Sequence, residues 1–407
     1  MAETVIKINL DKYCIDGEAI LVIDTTERSV PAKGGIRIHA AVTEEEIAAL
    51  ASEMTKKCIL ADIPFGGAKA GIRMSDLSQI ERAMYGFGRE LAKIDFIPHK
   101  WCAAPDVNTD SKSIDAFVAG CASVKGWKKG RLAATGKSTG IPHELGSTAY
   151  GVVLSIEETI KGMNMDLQLE GASAIVEGTG EVGGNAILLL LDKGTIVRGI
   201  SDITGAIYQK EGLDVNLLKQ FIKAKTPVEE MLSGFTGAAF SSEASALLEK
   251  EADLLILAGP GRSLNEQTCG QLRVKLIGEG ANIAYTDSRL RNAVHTSGVL
   301  SIPGIIANSG GVTSSYEEWI LENENLIHIN MDEKWGRIKE SIEKRITKNI
   351  NELCTKMADD RNKTPYDCTL ELVQERLELF KAENRKLRKL TKSTNADLEK
   401  RFSVFSV

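Results

Sequence analysis

Apolar residues recur along this chain with two clear periods. Ile47, Leu50, Ala51, Met54 and Cys58 share one face of a helix over 43–58, and Thr43 and Glu46 stand at its start in the T-x-x-E spacing of a capping box. Helical patterns also cover about 76–93 and 111–124 and, towards the C-terminus, 332–358 and 365–390. Short apolar runs predict strands at Cys58–Ile63, Ala174–Val176, Thr195–Ile200, Leu254–Leu257 and Val274–Ile277. A further strand near Ile302 runs into a polar, glycine-rich loop at Asn308-Ser309-Gly310-Gly311-Val312. From residue 171 onward, strands and helices alternate as in an open α/β sheet. No internal repeat or low-complexity linker interrupts the pattern.

Length sharpens this picture. At 407 residues the chain exceeds one small core, and two domains are expected. Its 43% hydrophobic and 26% charged residues are ordinary for a folded, soluble protein. The net charge of −6 argues against a nucleic-acid binder. The N-terminal residues lack the apolar core of a signal peptide, and no run approaches the roughly 18 apolar residues of a membrane span. Seven cysteines without C-x-x-C spacing read as reduced core thiols rather than a disulfide frame or a metal site. The expected compartment is the cytoplasm, with neither membrane nor nucleic acid as a partner.

Candidate chemistry begins with three lysines set among glycines or at a helix end: Lys33 before Gly34-Gly35, Lys57 near the end of the first helix, and Lys69 after Pro64-Phe65-Gly66-Gly67. Those glycines either form turns or let backbone approach a small ligand. Three converging cations suit a dicarboxylate, because a desolvated carboxylate needs a charged partner. Asp106, in Ala104-Pro105-Asp106-Val107-Asn108-Thr109, is either an Asx-turn residue capping the next helix or a proton shuttle beside the lysines. The second constellation is Gly178-Thr179-Gly180-Glu181-Val182-Gly183, between a strand and a helix, with Asp202 lying 19 residues past its last glycine. That context meets the Rossmann test: pyrophosphate at the helix N-terminus, Asp202 on the adenosine ribose. Asn282 and Asn308 are either turn residues or contacts to cofactor and substrate. The basic stretch 381–407 is either a solvated face or a segment whose apolar end docks elsewhere.

Taken together, Lys33-Gly-Gly-Ile-Arg, Met54-Thr-Lys-Lys-Cys58, Pro64-Phe-Gly-Gly-Ala-Lys69, Ala104-Pro-Asp-Val-Asn-Thr109, Glu279-Gly-Ala-Asn282 and Asn308-Ser-Gly-Gly-Val-Thr-Ser-Ser-Tyr316 resemble the glutamate/leucine/phenylalanine/valine dehydrogenase family, and within it the glutamate dehydrogenases. The resemblance spans about 30–320. It implies an α/β protein with an N-terminal α/β substrate and assembly domain (1–145), a Rossmann-type dinucleotide-binding domain (146–330), a helical connection (331–364) and C-terminal helices (about 365–407) returning to the first domain. It further implies oxidative deamination of glutamate to 2-oxoglutarate with NAD or NADP, and a homo-oligomer, usually a hexamer. By position, Lys69 resembles the catalytic lysine that polarises the carbonyl and activates water, and Asp106 the residue that exchanges protons with the amino group. Lys57 matches the lysine that holds the α-carboxylate. Lys33 matches the one that pairs with the side-chain carboxylate, with Ser315 and Val312 beside it. Thr148, Gly178, Gly180, Glu181, Val182, Gly183, Asp202, Asn282 and Asn308 fall to the cofactor, Asp202 favouring NAD over NADP.

The sequence also departs from the family pattern. Glu144 falls where an arginine is usual, Glu177 replaces a glutamine and Glu181 an asparagine. Two alternatives therefore stand beside glutamate: dehydrogenation of another amino acid, or a catalytically silent nucleotide-binding paralogue.

Overall fold

The computed structural model describes residues 4–24, 31–142 and 145–382. A first sheet is built from β1 (Thr4–Asn9), β2 (Glu18–Ile23), β3 (Ala32–Ile38), β4 (Gly66–Arg73) and β5 (Trp101–Pro105), in the order β1-β2-β4-β3-β5. Strands β3, β4 and β5 are mutually parallel, whereas β2 runs antiparallel to β4. Both faces of this sheet are covered. Leu21, Ile23, Ile36, Ala68 and Ala70 join a core with helices Ile80–Lys93 and Ser111–Lys125, where the rings of Phe87, Trp101 and Phe117 pack edge to face or tilted. Ile20 and Val22, on the opposite face, meet Ile47 and Ala51 of helix Glu44–Leu60.

Three expectations differ here. Cys58–Ile63 is not a strand: helix Glu44–Leu60 continues through Cys58, Ile59 and Leu60 before the chain turns. The glycines around Lys33 and Lys69 are not turn residues either, but lie in β3 and β4. A strand of Gly, Ala and Lys carries little intrinsic β signal. It forms because its small residues let the helix press close, a Cβ on Gly67 falling 2.1 Å from Thr55 Oγ1. The helix start also differs in part from a reciprocal capping box. Thr43 Oγ1 accepts the Glu46 N–H at 3.2 Å, but the Glu46 carboxylate turns to Arg37.

The second sheet comprises β6 (Ser173–Glu177), β7 (Ile196–Asp202), β8 (Gly205–Tyr208), β9 (Ala239–Ser241), β10 (Leu254–Leu257), β11 (Leu276–Glu279) and β12 (Leu300–Ile302), in the order β12-β11-β10-β6-β7-β8-β9. The first five strands of that order are parallel, and β8 and β9 close one side as antiparallel strands. Its central strands are buried on both faces, Ala174 and Val176 in one core and Ile175 in another, which explains their continuous apolar runs. The chain leaves β6 for β7 on one side and returns to β10 on the other. This creates a topological switch point beyond Glu177 and Leu257.

The stretch 308–312 is likewise not a loop. Helix Gly304–Ala307 ends at Asn308, and helix Gly310–Asn323 starts two residues later. Helix Met331–Asp359 then packs along helix Ser147–Gly162. Together with the helix over 365–382 it reaches back to the first sheet: Arg345 Nε donates to Ala61 O at 2.6 Å, and Arg376 Nη1 to Leu60 O at 2.5 Å. Two guanidinium groups thus meet free carbonyls at the C-terminal end of helix Glu44–Leu60, where a helix favours cations. Residues 143–144 and 383–407, and with them Glu144 and nearly all of the basic tail, lie outside the described residues. Among the described residues no helix is long and apolar enough to cross a membrane, and no group of three or more His, Cys, Asp or Glu could hold a metal ion.

Candidate active site

Side chains alternate along a strand, so Lys33, Gly35 and Arg37 share one face of β3, and Gly67, Lys69 and Gly71 share the matching face of β4. Helix Glu44–Leu60 covers this face and adds Lys57 from its last turn. Asp106 follows β5 directly. Its Oδ2 lies 2.8 Å from Lys69 Nζ and 2.9 Å from Arg37 Nε. Burial pushes the Asp106 carboxyl up, but the charges of Lys69 and Arg37 outweigh it and hold the group down at about 2. Asp106 is therefore not the cap of the next helix. Asp110 is, accepting from Ser113 N at 2.9 Å.

Lys33 is 1% exposed, and its Nζ donates to the Ala103 carbonyl at 2.7 Å. Burial lowers its pKa. Lys57 donates to Asn282 Oδ1 at 2.6 Å, bridging the two sheets. Burial and then the like charge of Lys69 bring Lys57 down to about 8. Between the sheets lies a cavity of about 690 Å³. Lys33, Lys57, Lys69, Asp106, Thr148, Glu181, Val182, Asn282, Asn308, Val312 and Ser315 all line it. Gly178, Gly180, Gly183 and Asp202 do not. They belong to the switch-point crevice next to it, at the carboxyl ends of β6 and β7.

That crevice fits a dinucleotide. Gly178 has φ of +88°, and a Cβ on Gly183 would fall 1.7 Å from Gly178 O, so both glycines are required for the tight strand–helix turn. A Cβ on Gly180 would meet nothing within 4 Å. The space above Gly180, at the N-terminus of helix Glu181–Asp192, is open to a ligand. Asp202 is held at the end of β7 by Thr204 N at 2.8 Å and Val228 N at 2.9 Å. Asn308 lines the cavity and donates to Gly280 O and Ala281 O, while its buried Oδ1 has no partner among the described residues. Glu181 is exposed and turned towards Asn185, 2.8 Å away. Burial raises the Glu177 pKa, opposed by a 3.0 Å bond from Ser263.

The model of the glutamate/leucine/phenylalanine/valine dehydrogenase family matches residues 139–379, and that of the family's dimerisation domain matches 16–122. The chain belongs to this family. Among curated relatives, the NAD-specific glutamate dehydrogenase of Staphylococcus aureus is 33% identical over 310 residues, covering 72% of this chain and 70% of that protein. The NADP-specific glutamate dehydrogenase A1 of Halobacterium salinarum is 31% identical, covering 85% and 81%. Among solved structures, Plasmodium falciparum glutamate dehydrogenase superposes with a TM-score of 0.79 at 20% identity, covering 94% of this chain and 83% of that one. The hetero-hexameric glutamate dehydrogenase of Thermus thermophilus gives 0.75 at 24% identity, covering 92% and 87%.

Within this family member, two charged side chains at or behind the cavity were given no role by the sequence reading. One is Arg37, which stood in the Lys33-Gly-Gly-Ile-Arg motif but does not line the cavity. The other is Lys137, which lines the cavity and is 3% exposed. Its Nζ meets Glu318 Oε1 at 2.8 Å, while Glu318 Oε2 accepts the N–H groups of Gly136 at 2.9 Å and Ile141 at 3.0 Å. Lys137 therefore has its own carboxylate partner, whereas no carboxylate among the described residues accompanies Lys33 at hydrogen-bond distance.

Proposed function

We propose that the protein is an NAD(P)-dependent glutamate dehydrogenase, carrying out reversible oxidative deamination of L-glutamate to 2-oxoglutarate and ammonia. The observation that carries this reading is Lys33: a buried ammonium at the cavity wall whose hydrogen-bond partner among the described residues is the Ala103 carbonyl. Such a group attracts a distal carboxylate and penalises an apolar side chain. Ser315 assists Lys33, Val312 packs beside the substrate, and Lys57 holds the α-carboxylate. Asp106 takes the proton of the α-ammonium, freeing the nitrogen lone pair to drive hydride departure from Cα. Bound nicotinamide supplies the hydride acceptor. Lys69 then orients and activates the water that attacks the iminium carbon, and Asp106 returns its proton to the departing nitrogen. Thr148, Asn282 and Asn308 orient the nicotinamide side, and Val182 lines its approach. Gly178, Gly180, Gly183 and the helix start at Glu181 receive the pyrophosphate.

Residues 1–145 serve as substrate and assembly domain, 146–330 as the Rossmann-type domain, and the C-terminal helices lock back onto the first. NAD is the preferred cofactor, because the fixed Asp202 carboxylate accepts ribose hydroxyls and repels a 2′-phosphate. A homo-hexamer in the cytoplasm is the expected assembly.

The test is NAD(P)H formation measured across the amino acids. Glutamate should give the highest kcat/KM. Turnover of another amino acid but not of glutamate defeats the substrate assignment, and dinucleotide binding without turnover favours a silent paralogue. Two further results are expected. In Gly180→Ala the protein keeps its melting temperature, since the new methyl meets no protein atom, but binds NAD at least about tenfold more weakly because the pyrophosphate needs that space. Equilibrium titration with NAD and a thermal melt read the two effects separately. The share of 2-oxoglutarate affinity that Lys57 supplies, read as the difference from Lys57→Met, is expected to be full below about pH 8 and to be lost above it. The sign follows from the lowered pKa of Lys57, which leaves the free site neutral there until a proton is taken up.

A further inference from the structure

Arg37 lies on the face of β3 that presents Lys33, yet it is not among the residues that line the cavity. It stands behind Asp106. Its Nε donates to Asp106 Oδ2 at 2.9 Å, the same oxygen that Lys69 Nζ meets at 2.8 Å. Its Nη1 donates to Glu46 Oε1, in the first turn of the helix whose last turn carries Lys57. One planar guanidinium thus grips two carboxylates at once, which the point charge of a lysine cannot do. The other charged groups around Asp106 are Lys69 from β4 and Lys57 from the helix, and His39 Nε2 stands 3.5 Å from the far oxygen of Glu46.

We propose that Arg37 is the positioning residue of Asp106, holding its carboxylate oriented and ionised when Lys69 turns from it to the substrate. Asp106 is paired with two cations, and the reaction engages one of them. If Lys69 moves to the carbonyl or its water, Asp106 would lose a partner at the moment it must act as a base. Arg37 is anchored on its far side by Glu46 and stays. This assignment rests on the function proposed above, in which Asp106 carries the proton.

The experiment compares pH profiles of glutamate turnover in the unsubstituted enzyme, Arg37→Gln, Arg37→Lys and Glu46→Gln, with NAD binding and thermal melts on the same preparations. In Arg37→Gln, kcat is expected to fall about tenfold or more, the acidic limb of kcat/KM to move up by about one pH unit or more, and KM for glutamate to stay within about threefold. Arg37→Lys is expected to restore the limb in part, because charge returns, but to leave kcat low, because the two-carboxylate grip does not. Glu46→Gln, at a partly exposed position, removes the far anchor but keeps the Arg37 charge, so it should lower kcat by less than Arg37→Gln without moving the limb up; Arg37→Lys, whose limb should still lie above that of the unsubstituted enzyme, serves as the test if Arg37→Gln does not fold. An unshifted acidic limb in Arg37→Gln, or in Arg37→Lys where that is the variant that folds, overturns the assignment whatever happens to kcat, since it marks a merely structural role. No turnover by the unsubstituted enzyme overturns the proposed function, and this assignment with it.

Discussion

Replacing Asp106 by asparagine is expected to lower kcat for glutamate by roughly 10²–10⁴-fold while leaving NAD affinity unchanged. The substitution keeps the shape of the side chain and removes its charge and basicity. In the proposed mechanism the carboxylates of the substrate are gripped elsewhere, by Lys33 and Lys57, so KM should change far less than kcat. The new amide would still offer an oxygen to Lys69 and Arg37, but the buried Lys69 and the partly buried Arg37 lose the charge that balances them, at 2.8 and 2.9 Å in the native protein. A drop in melting temperature should therefore accompany the loss of rate. Asp106 also links stability to pH. Because its folded pKa, about 2, lies below its ordinary value near 4, its contribution is full above that ordinary value and is lost as the pH falls towards 2. Steady-state kinetics, NAD titration and melts separate these effects. A variant retaining kcat within about threefold would remove Asp106 from the mechanism.

Lys33→Leu is expected to invert substrate preference. Removing one partner of a buried, hydrogen-bonded charge pair costs roughly 2–5 kcal/mol, so kcat/KM for glutamate should fall at least about 30-fold. Turnover of leucine, valine or norvaline should rise, because an apolar side chain no longer has to lie against an unpaired ammonium. Leucine replaces the lysine stem with similar bulk, and the site is dry enough to tolerate it, with Lys33 1% exposed. The neighbouring Lys137 should not take over, because Glu318 holds it at 2.8 Å and Glu322 lies 3.8 Å away. Competition between glutamate and aliphatic substrates in one assay measures the switch. Unaltered glutamate kinetics would show that Lys33 does not reach the side-chain carboxylate.

Several parts of the molecule were legible in the amino-acid order alone. The face Ile47, Leu50, Ala51, Cys58 identified helix Glu44–Leu60, and the unit around Gly178–Gly183 with Asp202 identified the strand–helix–strand crevice, because each signal is local and periodic. Lys33 and Lys69 could be singled out from their glycine settings, Lys57 from its place near a helix end, and Asp106 from its position after Pro105. Other features had no local signal. β3 and β4 were not read as strands because Gly, Ala and Lys carry little preference for them. Only the close packing of helix Glu44–Leu60 and the neighbouring strands makes them the centre of a sheet. Asn308 to Val312 read as a loop for the same reason: beyond a two-residue turn at Asn308 and Ser309, Gly310, Gly311 and Val312 are helical because the segment is packed against helix Ser147–Gly162. The sequence by itself therefore determined the set of chemical groups, the dinucleotide crevice and the strongly periodic elements. The tertiary structure alone decided their partners: Asp106 with Arg37, Lys57 with Asn282, and Lys137 with Glu318 across 181 residues. Periodicity records which face of an element is buried, whereas the pairing of charges far apart in the chain is set by how the elements close on one another.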